Sequence, residues 1–408
     1  MAQIPILGLD VGSNTVRAVV VEPTPQGQMI VKCSVTRKSK GLRRGVVVEP
    51  EEVVGTLHDI FEEVAKTSRP ALRNIYLGIN GTDIKTQLSR GIIAVSRANS
   101  EIYKDDISRV IQASEAVNIA SNRMILHTIT KEFVVDGVGD ISEPLGMVGA
   151  RLEVVSLLVE AFEPAVKNLI RCVEMNKGSV SALILNPLAA SLAVLSKSQR
   201  ELGVILIDIG YNTTGLAVYE ENKLVHTKVL GVGAGHITSD LAVALKIPAE
   251  AAEKLKLSYG FASSRDIPAK EAVDLSELDD TLKGSPSRKF VAEVIESRLS
   301  EICELVNNEL KLLGKVGHLP GGAVLVGGGA ELPGIAELFR TELKLSTKVG
   351  SAGQERFGTV SPNIAEALES PEYATVLGLA LWNRELDKES PSRMKSGLVN
   401  KLIKSFMP

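Results

Sequence analysis

The chain of 408 residues carries a formal net charge of −3, and 44% of its residues are hydrophobic. This length predicts two to three domains with buried cores, and the lack of a basic surplus argues against a dedicated nucleic-acid binder. Three scattered cysteines and five histidines without zinc spacing favour a reducing cytosol, and we find no signal peptide and no apolar run of the ~20 residues that span a membrane.

The first predicted element is a strand that ends at Asp10, followed by a tight turn and a returning strand that runs to Glu22. A second copy of this unit has its strand end at Asp208, about one domain length further along the chain. Both copies read Asp-x-Gly-x-Asn-Thr. The repetition predicts a duplicated fold with a ligand between its halves, and it disfavours the alternative of two ordinary hairpins.

The residue types in these two turns suit a bound phosphate. Glycine and asparagine tolerate positive backbone angles, so we expect successive amides to form an anion-binding concavity, to which the threonines add hydroxyl donors. Carboxylates at the strand ends repel phosphate unless a hard cation lies between, and Mg²⁺ that keeps its waters suits that role. The candidate phosphate residues are Gly12, Ser13, Asn14, Thr15, Gly210, Tyr211, Asn212, Thr213 and Thr214, and the candidate cation residues are Asp10 and Asp208.

Between the two turns, the sequence predicts a block that differs from its surroundings. Residues 83–160 follow the order β-β-α-β-β-β, which indicates an inserted subdomain. A small-residue helix over 186–195 is expected to pack tightly between the halves. The block has predicted strands at 84–88, 91–95, 125–129, 131–135 and 149–158 and a helix at 104–120; around it lie predicted helices at 50–67 and 162–175 and strands at 74–80 and 180–185.

The second half contains a further group of candidate ligand contacts. Glu253 and Lys256 share one helix face at i, i+3, with a surface ion pair as the alternative interpretation. An apolar strand over 323–326 runs into Gly327, Gly328 and Gly329, where backbone without side chains lets a flat ring or a ribose approach closely. Helices are predicted at 235–245, 290–313, 335–343 and 374–386, and the last two are expected to return to the first half.

The C-terminal stretch has the pattern of a helix that lies in a membrane interface. Its apolar side chains fall on one side of a predicted helix and its lysines on the other, with a terminal helix docked on the core as the alternative. Because apolar burial and basic contacts only slightly exceed the cost of ordering the segment, a single copy should bind reversibly and several copies on one filament firmly. The residues are Leu398, Val399, Leu402, Ile403 and Phe406 on the apolar side and Lys401 and Lys404 on the basic side.

Three of these motifs resemble the phosphate and adenosine motifs of the actin, sugar-kinase and heat-shock-chaperone ATPase superfamily: Asp10-Val11-Gly12, Asp208-Ile209-Gly210 and Val326-Gly327-Gly328-Gly329. The resemblance implies an actin-like α/β ATPase fold, two duplicated lobes around a nucleotide cleft, with ATP as cofactor. It implies Mg²⁺ held through water by the two aspartates, and ribose and adenine contacts from Glu253 and Lys256. Chaperone relatives carry an acid at the position of Asn186, so at most a slow ATPase is implied.

The chain as a whole resembles the FtsA family of bacterial actin homologues, on stretches such as Ile75-Tyr76-Leu77-Gly78-Ile79-Asn80-Gly81, Glu143-Pro144-Leu145-Gly146 and the basic tail. This resemblance implies a filament-forming protein that tethers the FtsZ ring to the inner face of the cytoplasmic membrane at the division site and recruits later division proteins. The FtsZ C-terminal tail is then expected at Arg298, with Asn307 and Asn308 beside it. Tyr211 departs from the Gly-rich second turn of many relatives.

Two alternative functions stay open. One is a PilM-type actin homologue of a pilus-assembly system, which would lack the tail; the other is a sugar or acetate kinase, for which there is no acidic catalytic residue at Asn186.

The resemblance to the FtsA family also implies a division into subdomains. The implied subdomains are 1A (1–83, 162–201 and 370–387), the inserted α+β subdomain 1C (84–161), 2A (202–237 and 321–369), 2B (238–320), a linker (388–393) and a membrane-targeting amphipathic helix (394–408).

Overall fold

The computed structural model describes residues 4–24, 29–265, 267–268, 270–353, 357–358, 362–388 and 394–396. Within these ranges no helix is both long and apolar enough to cross a bilayer. The strands are β1 (Ile6–Val11), β2 (Thr15–Pro23), β3 (Met29–Lys38), β4 (Leu42–Arg43), β5 (Val46–Val47), β6 (Ile75–Ile79), β7 (Lys85–Ala94), β8 (Arg123–Val135), β9 (Val138–Ile141), β10 (Arg151–Phe162), β11 (Val180–Leu185), β12 (Val204–Ile209), β13 (Thr214–Glu220), β14 (Lys223–Leu230), β15 (Ala323–Val326), β16 (Thr347–Val349) and β17 (Met394–Ser396). The helices are α1 (Pro50–Ser68), α2 (Lys104–Glu115), α3 (Glu163–Met175), α4 (Asn186–Val194), α5 (Lys197–Leu202), α6 (Ala234–Leu245), α7 (Ala249–Tyr259), α8 (Arg288–Leu312), α9 (Ile335–Leu343), α10 (Pro362–Glu369) and α11 (Ala374–Lys388).

Two five-stranded sheets have the same topology. The first has the order β11-β6-β1-β2-β3 and the second the order β16-β15-β12-β13-β14. In both, the central strand pairs antiparallel with the strand that follows its turn and parallel with the next strand on its other side. The central strands β1 and β12 are almost entirely buried, as expected for apolar strands covered by helices on both faces. The predicted duplication is confirmed.

The small-residue helix α4 lies at the junction of the two lobes, as predicted. It packs on α11, and a Cβ atom built on Gly378 would lie 1.8 Å from the carbonyl oxygen of Ala189. On the other side, a Cβ atom on Gly215 of β13 would meet Pro187 at 2.5 Å. Glycine is therefore required at both crossings, because any side chain would push α4 away from a neighbour.

The inserted block forms its own sheet, of order β17-β8-β10-β7, with β9 paired to β8. The helix α2 covers one face and is so close that a Cβ atom on Gly91 would lie 2.2 Å from the carbonyl oxygen of Val110. The expected order β-β-α-β-β-β is wrong: β7 and β8 are each one continuous strand, and α2 ends at Glu115. The long strand β10 pairs with both along their length, and this pairing overrides the local breaks that the sequence pattern indicated.

Two further expectations are wrong. The helix α9 belongs to the second lobe, because its apolar side chains, among them Phe339, lie in that lobe's core; of the two helices expected to return to the first lobe, α11 does so. The predicted tail helix cannot begin at Met394, because residues up to Ser396 form β17. A helix that included Lys395 would also place this lysine on the apolar side of the predicted tail helix. The tail residues Leu398, Val399, Lys401, Leu402, Ile403, Lys404 and Phe406 lie outside the described residues.

Candidate functional site

A cavity of about 370 Å³ lies between the two lobes, at the carboxyl ends of β1 and β12. Its volume lies within the range of ~300–1,000 Å³ that holds small molecules. The structure brings together here the candidates from both turns, from α7 and from the glycine cluster. They are Asp10, Gly12, Ser13, Asn14, Thr15, Asp208, Gly210, Tyr211, Asn212, Thr213, Glu253, Lys256, Gly327, Gly328 and Gly329. Thr214 does not line the cavity; it is buried and donates to the carbonyl oxygen of Val232.

The two turns close in the same way. The amide of Gly12 donates to the carbonyl oxygen of Thr15 at 3.1 Å, and the amide of Gly210 donates to that of Thr213 at 2.9 Å. The expected positive backbone angles are wrong, since none of the glycines or asparagines in the two turns has one. Instead, glycine is needed for close approach: a Cβ atom on Gly12 would lie 2.7 Å from the carbonyl oxygen of Thr15.

Asp10 is buried near the end of β1, Asp208 is partly buried near the end of β12, and the two carboxylates interact electrostatically. Burial raises the pKa of the Asp10 carboxyl. Burial, and secondly the negative charge of Asp10, raise the pKa of Asp208 to about 6. Each carboxylate accepts one hydrogen bond, Asp10 from the Asn186 amide at 2.9 Å and Asp208 from the Thr375 hydroxyl at 3.0 Å. Two desolvated carboxylates with raised pKa values form a site that gains from a cation.

The surrounding atoms fit a hydrated divalent cation. The Asn186 carbonyl oxygen is buried and has no hydrogen-bond partner, so an acceptor is left unused on the side chain that donates to Asp10. Glycine is required beside it and beside Asp208, because a Cβ atom on Gly78 would lie 2.4 Å from that oxygen and one on Gly327 would lie 2.5 Å from an Asp208 oxygen. Within the described ranges, no group of three or more His, Cys, Asp or Glu residues could enclose an ion directly. The arrangement therefore suits an ion that keeps most of its waters and a ligand's oxygens.

A buried arginine on β2 was missed by the sequence analysis. Arg17 lines the cavity, forms an ion pair with Glu372, and lies 5.4 Å from the centre of the Tyr373 ring. Its charge opposes the rise in the pKa of both aspartates. The signal in the sequence was one cation within the otherwise apolar strand β2. This guanidinium supplies positive charge where an anion would approach the two turns.

The cavity is bridged by contacts between the lobes. The amide of Asn80, which follows β6, donates to the Thr213 hydroxyl at 2.9 Å. Glu372 lies against the glycine cluster, because a Cβ atom on Gly328 would meet its carboxylate at 2.6 Å. The residues that join the lobes here are therefore also residues that line the cavity.

The opposite end of the cavity is built from α6 and α7. The Lys256 ammonium contacts a Glu253 oxygen at 2.7 Å and the Thr238 hydroxyl at 2.9 Å, and it lies 5.8 Å from the centre of the Tyr211 ring. The ion pair of the alternative interpretation forms, but its lysine is buried and both residues line the cavity. The Tyr211 ring packs on Gly235, where a Cβ atom would lie 2.6 Å from it, so glycine is required at that position. The Lys256 ammonium and the Glu253 carboxylate, held in fixed positions, can form hydrogen bonds with the hydroxyl groups and ring nitrogens of a ligand.

Comparison with known proteins assigns the family. A sequence profile described as "Cell division protein FtsA" matches residues 205–378, and one described as "SHS2 domain inserted in FTSA" matches residues 81–159. Cell division protein FtsA of Bacillus subtilis is 34% identical over 373 residues, which are 91% of this chain and 82% of that protein. The chain belongs to the FtsA family. FtsA of Pseudomonas aeruginosa is 32% identical over 96% of this chain and 92% of its own length.

Solved structures share the fold at low identity. The structure described as "PilM-PilN type IV pilus biogenesis complex" has a TM-score of 0.65 at 19% identity, over 92% of this chain and 97% of that one. MreB5 of Spiroplasma citri bound to ADP has a TM-score of 0.56 at 15% identity, over 95% and 99% of the two chains. The actin-like α/β fold with an inserted subdomain, predicted from the sequence, is confirmed for this member of the FtsA family.

The candidate partner residues lie on α8 and do not line the cavity. Arg298 is held by Asp240 of α6 through two hydrogen bonds of 2.7 and 2.8 Å, and it also pairs with Glu301. The Asn307 amide donates to the carbonyl oxygen of Glu342 at 3.1 Å, and Asn308 accepts from Lys311 at 3.3 Å. Asn307 lines a shallow surface groove beside α8, so this helix offers a polar surface in a separate place from the cavity.

Proposed function

We propose that the cavity between the lobes binds ATP together with a hydrated Mg²⁺ ion. The observation that carries this proposal is the pair of desolvated, mutually repelling carboxylates of Asp10 and Asp208, each of which directly precedes one of the two matching turns. A triphosphate with its metal ion neutralises both carboxylates and accepts from the amides of the turns. The occurrence of ADP in MreB5 of Spiroplasma citri, which shares the fold, supports the proposal.

The residues of the cavity divide into three groups in this proposal. The turn amides, Thr15 and Thr213 hold phosphate oxygens, and the Arg17 guanidinium adds charge there. Asp10, Asp208 and the Asn186 carbonyl oxygen orient the waters of the ion, which supplies charge neutralisation when bound. Glu253 and Lys256 contact ribose and adenine, and Gly327 to Gly329 admit the adenosine along bare backbone.

We expect slow hydrolysis at most. The Asn186 side chain donates one amide hydrogen to Asp10, and an amide does not accept a proton as a base. Of the other carboxylates that line the cavity, Glu372 is paired with Arg17, Glu253 with Lys256, and Glu331 accepts a hydrogen bond from Ser370. Nucleotide binding rather than turnover would then control the distance between the lobes and thereby assembly into actin-like filaments.

On this basis the protein is a membrane adaptor of the division machinery. The α8 surface binds the FtsZ C-terminal tail, residues 398–408 contact the inner face of the cytoplasmic membrane at the division site, and the inserted subdomain recruits later division proteins. We propose for this protein the subdomain boundaries that the sequence analysis predicts. Support comes from the family membership and from the amphipathic pattern of the tail.

Deleting residues 398–408 should release the protein from anionic vesicles, because the apolar and basic side chains of the tail are removed together. The measurement is co-sedimentation with vesicles that contain phosphatidylglycerol. A second variant keeps the full length and carries Leu402→Asp together with Phe406→Asp; it should also stay in the supernatant. Both variants should keep the melting temperature of the wild type. Sedimentation equal to that of the wild type would rule out the tail as an anchor.

Arg298→Ala should weaken binding of an FtsZ C-terminal peptide by about 10-fold or more, as expected for a buried charge-assisted contact. Arg340→Ala is the matched control, because Arg340 forms a comparable i, i+3 ion pair with Glu337 on α9. Fluorescence anisotropy of a labelled peptide measures both. Equal affinities of the two variants would place the peptide elsewhere.

A further inference from the structure

The edge of β8 is completed by a segment from the far end of the chain. Met394, Lys395 and Ser396 pair antiparallel with Ile129, Thr128 and His127, respectively. On its other side β8 is paired with β10 along most of its length. The short strand β17 is therefore an added edge strand, joined through backbone hydrogen bonds.

The paired part of β8 is built as an interior strand. Residues 124–130 are buried without interruption, so both faces of the strand are covered there. A strand with two covered faces and an open edge would leave backbone donors and acceptors unpaired in a buried place. The three residues of β17 satisfy this edge, and they belong to this chain itself.

The site where β17 attaches is also the place where β8 contacts β11 and α11. The His127 ring accepts a hydrogen bond of 3.0 Å from the amide of Leu185, the last residue of β11, and its centre lies 5.5 Å from that of Trp382 on α11. His127 and Trp382 are both buried. The opposed residue of β17 is Ser396. The strand β17 is thus attached at the junction of the first lobe with the inserted subdomain.

We propose that Met394–Ser396 is a clip that fixes the exit point of the membrane tail, and that it stays docked on β8 while the tail binds lipid. This inference rests on the proposed membrane role of residues 398–408. Without the clip, the eight residues from 389 to 396 would form a free tether of up to about 26 Å. Docking removes this freedom, so copies aligned on one filament present their tails from equivalent positions, which raises the effective concentration for multivalent binding.

Proline substitutions test the docking directly. Along an antiparallel strand, adjacent residues alternate between those that donate to the neighbour and those that do not, so either Lys395→Pro or Ser396→Pro removes a ladder donor. We expect at least one of them to lose hydrogen-exchange protection at those amides of 127–129 that face β17, and to bind phosphatidylglycerol vesicles about threefold or more weakly with Mg²⁺-ATP present. Lys395→Ala and Ser396→Ala are the matched controls, because they remove the same side chains and keep the amides.

A disulfide tests the opposite change, because it fixes β17 on β8 and does not release it. Opposed antiparallel residues have Cα atoms about 4.5–5.5 Å apart, within the range for a disulfide, so Ile129→Cys with Met394→Cys should oxidise at least about tenfold faster than the offset pair Lys131→Cys with Met394→Cys. Thr128→Cys with Lys395→Cys serves if the first pair does not fold. The oxidised chain should bind vesicles as well as the reduced chain does.

The outcomes separate the clip from the membrane role. Equal oxidation rates of the two pairs, or proline variants that bind vesicles like their alanine controls, would overturn the clip. Loss of protection at 127–129 when vesicles are added, or failure of the oxidised chain alone to bind, would show that the strand must undock and would overturn it as well. A reduced, unsubstituted chain that does not sediment with vesicles would overturn the membrane role, and the positioning role with it.

Discussion

Asp208→Asn should make the nucleotide-free protein more stable and, at the same time, weaken its binding of ATP with Mg²⁺. In the empty cavity the Asp208 carboxylate is buried beside Asp10, and these two causes raise its pKa to about 6. An asparagine can still accept the hydrogen bond from Thr375 without carrying a charge. With the ion present, however, the substitution removes the Asp208 carboxylate as a hydrogen-bond partner of metal-bound water. We expect this loss to reduce the affinity for ATP with Mg²⁺ by about 10–100-fold.

The pH dependence has a definite sign. The ordinary pKa of 3.8 applies to the unfolded chain, so between about pH 4 and pH 6 the folded state binds more protons at Asp208 than the unfolded state does. The free energy of unfolding of the empty wild type therefore rises as the pH falls from 6 to 4, as far as Asp208 is concerned. The gain from Asp208→Asn at pH 7 is up to about 3 kcal/mol, and it shrinks as the pH falls through this window.

Differential scanning fluorimetry without nucleotide, and titration calorimetry with ATP and Mg²⁺, measure the two effects. Asp279→Asn is the control for the removal of an acid, because hydrogen bonds from Thr281 lower the pKa of Asp279. This variant should lose rather than gain stability and should bind ATP normally. An Asp208→Asn protein that melts below the wild type, or that binds ATP with unchanged affinity, would contradict the electrostatic account of the cavity.

Gly378→Ala should be among the most damaging single-methyl additions in the chain. The new Cβ atom would lie 1.8 Å from the carbonyl oxygen of Ala189, which is backbone and cannot rotate away. The helices α4 and α11 would have to separate, and α4 lies between the lobes. Overpacking of this kind costs about 1–3 kcal/mol and more where backbone must move, so we expect about 3 kcal/mol or more, or an insoluble protein.

Gly55→Ala is the matched control for this substitution. Gly55 is exposed in the interior of α1, and a Cβ atom there meets nothing within 4 Å. Because alanine favours helix over glycine, this variant should gain about 0.5–1 kcal/mol. Chemical denaturation of both variants gives the comparison. A Gly378→Ala protein as stable as the wild type would show that α4 and α11 are not in close contact.

Local sequence patterns predicted the duplicated fold and gathered the cavity residues correctly. Asp10 and Asp208 each end a buried apolar strand, and the turn after each strand has the same residue order. Carboxyl ends of equivalent strands in a duplicated fold meet at the same place, so a local repeat was enough to bring the two turns together.

Contacts between distant residues could not be predicted in this way. Arg17 and Glu372 are 355 positions apart, and nothing local shows that they pair. The role of Gly12 was misjudged for a similar reason, since close approach to a carbonyl oxygen is a tertiary property. Pairing of Met394–Ser396 with β8 also depends on a distant strand, and the helical pattern of the tail concealed where the strand ends.

The most direct test of the account is the affinity of the full chain for ATP with and without Mg²⁺. Because Asp10 and Asp208 repel a bare triphosphate, we expect affinity to fall by about tenfold or more when Mg²⁺ is replaced by EDTA, and Asp208→Asn to reduce this dependence. ATP affinity that is the same in Mg²⁺ and in EDTA, or no ATP binding in either, would contradict a metal-bearing triphosphate between the two turns.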